Sequence, residues 1–140
     1  MAEPVVSEKL ESLRRCLARI ESKRPKTLDA LERDLDAQDI LVLNLSRAIQ
    51  LCVDIGSHLV SRSDIAPPQT MGETFSALAQ LGLLSDSMAE AMKKAVGFRN
   101  IAVHGYESLN MAIVFSIVTE RLEDFRQFAR EVQRHEEDAD

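Results

Sequence analysis

Residues 41–60 constrain the fold of this chain more than any other stretch of the sequence. Apolar residues recur there at three- and four-residue steps, as they do along one side of an α-helix. One row consists of Leu41, Leu45, Ala48, Cys52, Ile55 and Leu59, and a second row beside it consists of Val42, Ile49, Val53 and Val60. A helix that is apolar over so wide an arc is predicted to lie at the centre of a bundle.

The residues before this segment predict two further helices. The first contains Leu10, Leu13, Leu17 and Ile20 at helical spacing and is closed by Pro25, because proline removes a backbone donor and cannot continue a helix. Thr27 can cap a second, short helix that extends to about Leu35. After the central helix, residues 61–69 contain two adjacent prolines and are predicted to form a loop.

Start and stop signals divide the second half of the chain. Thr70 and Glu73 form a capping box that opens a short helix, and Gly82 is placed to end it. Ser85 or Asp86 can cap the next helix. Residues 111–132 show the strongest amphipathic pattern in the protein and predict one final helix.

These patterns predict an all-α fold, and no segment alternates apolar and polar residues as a half-buried strand would. A chain of 140 residues has room for one domain of ordinary size. We therefore expect a single-domain antiparallel helical bundle of about five helices over residues 1–134. Residues 135–140 are rich in Glu and Asp and are predicted to form an acidic, disordered tail.

Charge and hydropathy limit the possible partners. The net charge of −6 argues against a surface that binds nucleic acid everywhere, so that any RNA site is expected to be local. The first helix is basic, and we interpret it as a solvated face, with contact to phosphate or to an acidic partner as the alternative. No apolar run is expected to cross a membrane and the N-terminus lacks an export pattern, which predicts a cytoplasmic protein.

The cysteines offer no sign of a metal site. Cys16 and Cys52 both fall among apolar neighbours at helical positions, and neither has a His or Cys at a metal-ligand spacing. We expect two reduced, buried thiols, with no metal and no cofactor.

Arg99 occupies an unusual position on its predicted helix. At about 100° per residue, it falls about 20° from Met88, in the middle of an apolar stripe. A buried guanidinium needs an anion opposite it. The structural explanation is a salt bridge with a residue such as Asp54, and the functional one is an anionic ligand.

His104 lies about 140° around the same helix from Arg99, so that one straight helix cannot bring the two side chains together. Either the helix ends or bends between Gly97 and Gly105, or a second copy of the chain supplies the missing partner. Alone, His104 is more readily explained as an ordinary hydrogen-bonded surface or core histidine than as a catalyst. His58 and His135 show no recognisable arrangement.

Residues 98–106 read FRNIAVHGY. This stretch resembles the R-x-x-x-x-H-x-Y signature of HEPN ribonucleases of the HepT type, the toxins of type VII toxin–antitoxin systems, which are encoded beside a minimal nucleotidyltransferase antitoxin. The polar residue Asn100 also fits the family pattern. The similarity extends over about residues 10–132 and includes the central helix from Asn44 to Leu59 and the proline-containing loop.

The resemblance implies a metal-independent endoribonuclease that acts as a homodimer. RNA cleavage without a metal needs a base, an acid and a cation to stabilise the phosphorane. His104 would perform acid/base work, since an ordinary imidazole changes charge near neutral pH. Arg99 would bind the phosphate, and Asn100 would orient one of them or the substrate. Lys93 shares the face of His104 and is either a second phosphate contact or a solvated lysine.

Tyr106 matches the family tyrosine that the antitoxin modifies with adenylate groups. Such a modification would add bulk and negative charge beside Arg99 and so block the RNA phosphate. The resemblance thus implies three partners, namely RNA, a nucleotidyltransferase antitoxin and a second copy of the chain, and neither DNA nor a membrane. The alternative role of Tyr106 is a packing aromatic whose hydroxyl finds one partner.

Two other functions remain possible from the sequence. One is a non-catalytic HEPN-type module that binds nucleotide or serves as a scaffold for a nucleotidyltransferase. The other is an unrelated helical adaptor in which Arg99 closes a structural salt bridge.

Overall fold

The computed structural model describes residues 3–138, which form seven α-helices, one short 3-10 turn and no β-strand. The helices are α1 (Pro4–Lys23), α2 (Leu28–Glu32), α3 (Leu35–Ser61), α4 (Met71–Gln80), α5 (Asp86–His104), α6 (Met111–Glu120) and α7 (Leu122–Asp138), and the 3-10 turn is Tyr106–Ser108. The all-α class is confirmed, with two more helices than the five expected.

Helix α3 is the centre of the bundle, as its two apolar rows predict. It contacts every other helix, and its apolar residues are buried on several sides. By length and hydropathy alone α3 is long and apolar enough to cross a membrane. More than half of its most apolar stretch is buried by the other helices, as in the core helix of a bundle.

Helices α1 and α3 lie antiparallel along most of their length. Lys9 of α1 pairs with Asp54 of α3, and Glu3, just before α1, pairs with His58 near the end of α3. Helix α7 in turn runs antiparallel to α1, since Arg126 near its start pairs with Glu21 near the end of α1. Helix α1 is therefore antiparallel to both of these neighbours, as expected for an antiparallel bundle.

The predicted helix starts are confirmed by side-chain caps. Thr27, Thr70 and Ser85 each accept a backbone N–H three residues ahead, at the starts of α2, α4 and α5. Glu73 completes the Thr70 cap one residue earlier than a standard capping box, because it accepts the N–H of Gln69. Gly82 has φ of 74°, a left-handed conformation that favours glycine, and ends α4 as predicted.

The final predicted helix is two helices. Helix α6 ends at Glu120 and α7 begins at Leu122, with Arg121 between them at φ −117° and ψ 2°. Neither glycine nor proline marks this break, and apolar residues continue at helical spacing across it. The sequence pattern therefore predicts one helix where the backbone forms two.

The expectation of a disordered acidic tail from residue 135 was also wrong for the described residues. Helix α7 continues to Asp138, and the Glu136 side chain is only 2% exposed. Arg62 holds it with Nη2 2.6 Å from Glu136 Oε1 and also donates to Glu3 Oε1 at 2.5 Å. Hydrogen bonds from Arg62, and then from His58, lower the pKa of Glu3. Residues 139 and 140 lie outside the described residues.

Candidate functional site

The candidate site lies at the C-terminal end of α5. This helix begins at its Ser85 cap and remains regular from Asp86 to His104, without a break between Gly97 and His104. Gly105 then ends it, with its N–H bonded to the Ile101 carbonyl oxygen at 2.7 Å. Because the helix is continuous, Arg99 and His104 point about 140° apart, and one chain does not bring them together.

Arg99 is a partly buried guanidinium without a counter-ion among residues 3–138. Its Nη1 donates to the Met71 sulfur at 3.7 Å, which is a weak interaction with α4. Its Nε is buried and has no hydrogen-bond partner. A buried donor without a partner costs about 1–3 kcal/mol, so this arrangement does not stabilise the isolated chain.

The structure does not contain the salt bridge between Arg99 and Asp54 that the sequence left open. Asp54 pairs with Lys9 of α1, with Nζ 3.8 Å from Oδ2, and accepts a hydrogen bond from Gln50 at 2.8 Å. The carboxylate of Asp54 therefore serves α1 and not α5.

A second face of α5 is open to solvent. His104, Asn100 and Gly97 are all exposed, and their positions fall within about 60° of one another around the helix. A Cβ atom added at Gly97 would meet nothing within 4 Å. This face therefore leaves room for another molecule to approach the imidazole closely.

Lys93 lies on that face but already has a partner. Its Nζ is 3.2 Å from Glu90 Oε1, one turn earlier on the helix. Exposed pairs of this kind contribute little to stability and exchange readily. A phosphate contact by Lys93 would require the ion pair to open, which the sequence spacing alone does not reveal.

Tyr106 follows the end of α5, in the 3-10 turn, and its hydroxyl donates to Asp39 Oδ1 at 2.5 Å. Burial and this hydrogen bond to a carboxylate raise the pKa of Tyr106 to about 12. The sequence analysis missed Asp39, and no local signal could have found it, because the two residues are 67 positions apart. The Tyr106 hydroxyl therefore stays protonated at neutral pH and already points its hydrogen at the Asp39 carboxylate.

Large apolar side chains lie exposed at this end of α5 and at the start of the next helix, α6. Ile101 and Val103, on either side of Ala102, are 52% and 51% exposed, and Ile113 at the start of α6 is 50% exposed. Helix α6 is apolar on most of its surface, yet only Val114 and Val118 are buried. Grouped apolar side chains of this size are typical of a contact surface.

The two cysteines are free and buried, as predicted. Burial raises the thiol pKa of each, and for Cys52 the pKa lies well above its usual value. Among the described residues, no three His, Cys, Asp or Glu side chains are grouped as metal ligands.

The helical bundle and the R-x-x-x-x-H-x-Y stretch at the end of α5 place the chain in the HEPN class. It belongs to the ribonuclease HepT-like family, whose pattern matches residues 13–132. The chain is 36% identical to the mRNA nuclease HepT of Shewanella oneidensis over 124 residues, which cover 89% of this chain and 92% of that protein. It is 26% identical to the tRNA nuclease HepT of Aphanizomenon flos-aquae over 134 residues, or 95% and 91% of the two chains.

Solved structures agree with this assignment. The tri-AMPylated HEPN toxin of Shewanella oneidensis in complex with MNT antitoxin superposes with a TM-score of 0.89 at 34% identity, covering 94% of this chain and 98% of that one. A toxin–antitoxin structure with AMP-PNP gives a TM-score of 0.87 at 34% identity, covering 93% and 98%. The cytosolic protein YutE of Bacillus subtilis shares the fold at 12% identity, with a TM-score of 0.80 and coverage of 93% and 87%.

Proposed function

We propose that this chain is the ribonuclease toxin of a toxin–antitoxin pair and cleaves RNA at a site formed by two copies of the chain. The observation that carries this proposal is the guanidinium of Arg99, which is partly buried, lacks a counter-ion among the described residues and lies five positions before an exposed histidine. Burying an unpaired guanidinium is unfavourable, so its presence here fits a role in binding an anion. RNA supplies that anion as phosphate.

The divergence of Arg99 and His104 supports the participation of a second copy. A two-fold interface would place the same surface of both chains together, so that each contributes one Arg99 and one His104. The exposed Ile101 and Val103 at this end of α5, and Ile113 in the next helix, offer apolar area for such an interface. The resulting site holds two imidazoles and two guanidiniums.

These four groups suffice for transesterification of RNA. One imidazole takes the proton of the ribose 2′-hydroxyl as its oxygen attacks phosphorus. The other imidazole gives a proton to the 5′-oxygen as its bond to phosphorus breaks. Arg99 neutralises the charge that develops on the phosphorane oxygens. The products are a 2′,3′-cyclic phosphate and a free 5′-hydroxyl, and Asn100 orients the substrate or one of the catalytic groups.

Tyr106 is proposed as the residue that the antitoxin adenylylates. The Tyr106 oxygen would attack the α-phosphorus of ATP, forming a Tyr–O–P bond and releasing pyrophosphate. The Asp39 carboxylate already accepts the hydroxyl hydrogen and would take the proton in that step. The added phosphate would lie next to the end of α5 and repel an RNA phosphate there.

This activity belongs in the cytoplasm, where the RNA substrate and ATP are found. The most apolar stretch of α3 is largely covered by the other helices, which fits a bundle that does not need a membrane.

The proposed function is tested by expressing the chain in bacteria and by incubating the purified protein with RNA. Wild type is expected to arrest growth and cleave RNA, and His104→Ala to do neither while remaining folded. His135→Ala is the matched control, because it removes a histidine at the far end of the bundle and should leave the activity intact. If wild type and both variants are equally harmless and cleave no RNA, the chain is a binding module.

The role of Tyr106 is tested by mass spectrometry with a nucleotidyltransferase antitoxin and ATP. Tyr106 is the only tyrosine in the chain, so Tyr106→Phe should gain no adenylate mass. Equal modification of Tyr106→Phe and wild type would refute the assignment.

A further inference from the structure

Two grooves flank α1, and they differ in how their arginines are paired. The groove between α1 and α7 has a volume of about 480 Å³ and contains three arginines. Each of these has a carboxylate partner: Arg14 pairs with Glu11, Arg126 with Glu21 and Arg130 with Glu123. The cations of this groove are therefore neutralised within the chain.

The groove between α1 and α3, called here the α1–α3 groove, is larger, at about 640 Å³. Arg15 and Arg19 line it from α1 and Arg47 lines it from α3. All three side chains are exposed, and none has a carboxylate partner within residues 3–138. The one polar side-chain contact that these three make to a described residue is from Arg15 to the Ser12 hydroxyl at 3.4 Å.

The arginines of the α1–α3 groove converge from two helices. Cys16 also lines the groove, and although burial raises the pKa of its thiol, the charges of Arg47 and Arg15 act in the opposite direction. The carboxylate in the lining, Asp54, is already held by Lys9 and Gln50. In a chain with a net charge of −6, this groove is a local concentration of positive charge.

The α1–α3 groove shares helix α3 with Asp39, the residue that immediately precedes the lining residue Ile40. Asp39, which accepts the Tyr106 hydroxyl, precedes Leu43 by one turn and Arg47 by two turns on the same face of α3. At 1.5 Å per residue, Arg47 lies about 12 Å along the helix from Asp39. An RNA strand that leaves the candidate site past Tyr106 can continue along this face of α3.

We propose that the α1–α3 groove binds backbone phosphates of the RNA substrate outside the linkage that is cut, through Arg15, Arg19 and Arg47. This inference rests on the proposed ribonuclease function. Guanidiniums without a partner in the chain are available to phosphate and release counter-ions from the RNA when they bind it.

The groove lining also predicts how RNA is recognised. None of its residues is aromatic, so bases have no ring on which to stack. Contacts are therefore directed at the sugar–phosphate backbone and do not depend on the base sequence. The groove increases affinity for longer RNA, and the choice of cleavage position is made elsewhere.

The test uses His104→Ala as the parent protein, so that RNA is bound without being cut. Arg15→Gln, Arg19→Gln and Arg47→Gln are combined in a groove variant. The control variant combines Arg14→Gln, Arg33→Gln and Arg130→Gln, which remove the same net charge from arginines that are paired with carboxylates. Binding of a longer single-stranded RNA is measured by fluorescence anisotropy between 50 and 200 mM salt, and Tm confirms that all three proteins are folded.

Each lost phosphate contact lowers the slope of log affinity against log salt by about 0.7 for single strands. Loss of three contacts therefore lowers the slope by about 2. Between 50 and 200 mM salt, the fold-loss of affinity should be about 18 times smaller for the groove variant than for the parent. The control variant should keep the slope of the parent. An unchanged slope in the groove variant, or an equal decrease in both variants, would overturn the proposal, as would a defect limited to antitoxin binding.

Cleavage separates this inference from the function on which it rests. With His104 restored, the groove variant should cut a dinucleotide as fast as wild type and a longer RNA with a higher KM. If wild type cuts RNA but the groove variant behaves like wild type on the longer substrate, only the groove proposal fails. If wild type neither cuts nor binds RNA, the proposed function fails and the groove proposal fails with it.

Discussion

Arg99→Met is expected to make the protein more stable and inactive at the same time. Methionine keeps a long, unbranched side chain but removes the guanidinium from the apolar stripe of α5. The Arg99 Nε is buried without a hydrogen-bond partner, and such a donor costs about 1–3 kcal/mol. The sulfur of Met71, its one described polar contact, would then face another thioether.

The expected gain is smaller than the full cost, because the guanidinium is only partly buried and its other nitrogens can reach water. We expect the free energy of unfolding to rise by about 1–2 kcal/mol, which for a chain of this size raises Tm by about 3–8 °C. Urea and thermal unfolding measure the change at a fixed protein concentration, since a dimer interface would add its own contribution. RNA cleavage by the same sample should be lost.

Arg99→Lys is the control for this prediction. It keeps a positive charge in the stripe, so its stability should not rise, and it loses the planar, bidentate geometry that suits a phosphate. If Arg99→Met instead lowers the free energy of unfolding by more than about 1 kcal/mol, Arg99 holds the fold together and our reasoning about its role is wrong.

Three further predictions concern the bundle and the tyrosine. The phenolate absorbance of Tyr106 should titrate near pH 12, and Asp39→Asn should lower that pKa toward 10, because the negative partner is lost while burial remains. Because burial and then this hydrogen bond raise the pKa, the contribution of the protonated phenol to stability is complete below pH 10 and is lost as the pH rises through 12. A titration unchanged by Asp39→Asn would argue against the contact. Gly56→Ala should lower the free energy of unfolding by about 1–3 kcal/mol, since its Cβ would lie 2.7 Å from a methyl carbon of α4. Gly97→Ala has open space around the new Cβ and should raise the free energy of unfolding by about 0.5–1 kcal/mol. Chemical unfolding that ranks the two variants the other way would refute this. The buried thiol of Cys52, whose pKa is raised by burial, should react with alkylating reagents only in unfolded protein, and rapid labelling under native conditions would contradict its placement.

Periodicity and caps predicted most of the fold because they are local signals. The hydroxyls of Thr27 and Ser85 act within their own helical turn, so the sequence is sufficient to place those helix starts. The break at Arg121 has no such signal, because the apolar spacing continues across it. Burial of Glu136 depends on Arg62, 74 positions earlier, and nothing near residue 136 announces that partner.

The candidate site was predictable to the same extent. The angular position of Arg99 and its divergence from His104 follow from helix geometry alone. The absence of a carboxylate opposite Arg99, the pairing of Lys93 with Glu90 and the contact of Tyr106 with Asp39 depend on how the helices pack. The sequence therefore predicts which residues lie near the site, but it does not predict which of their charges are paired.

The double contact of Arg62 means that the first described residue and the last turn of the last helix bind the same side chain. Glu3 precedes α1 and Glu136 lies in the last turn of α7, yet the same guanidinium binds both. A protein shortened to residue 134, the domain limit that the sequence suggested, would lose half of this clamp and leave the end of α7 to fray.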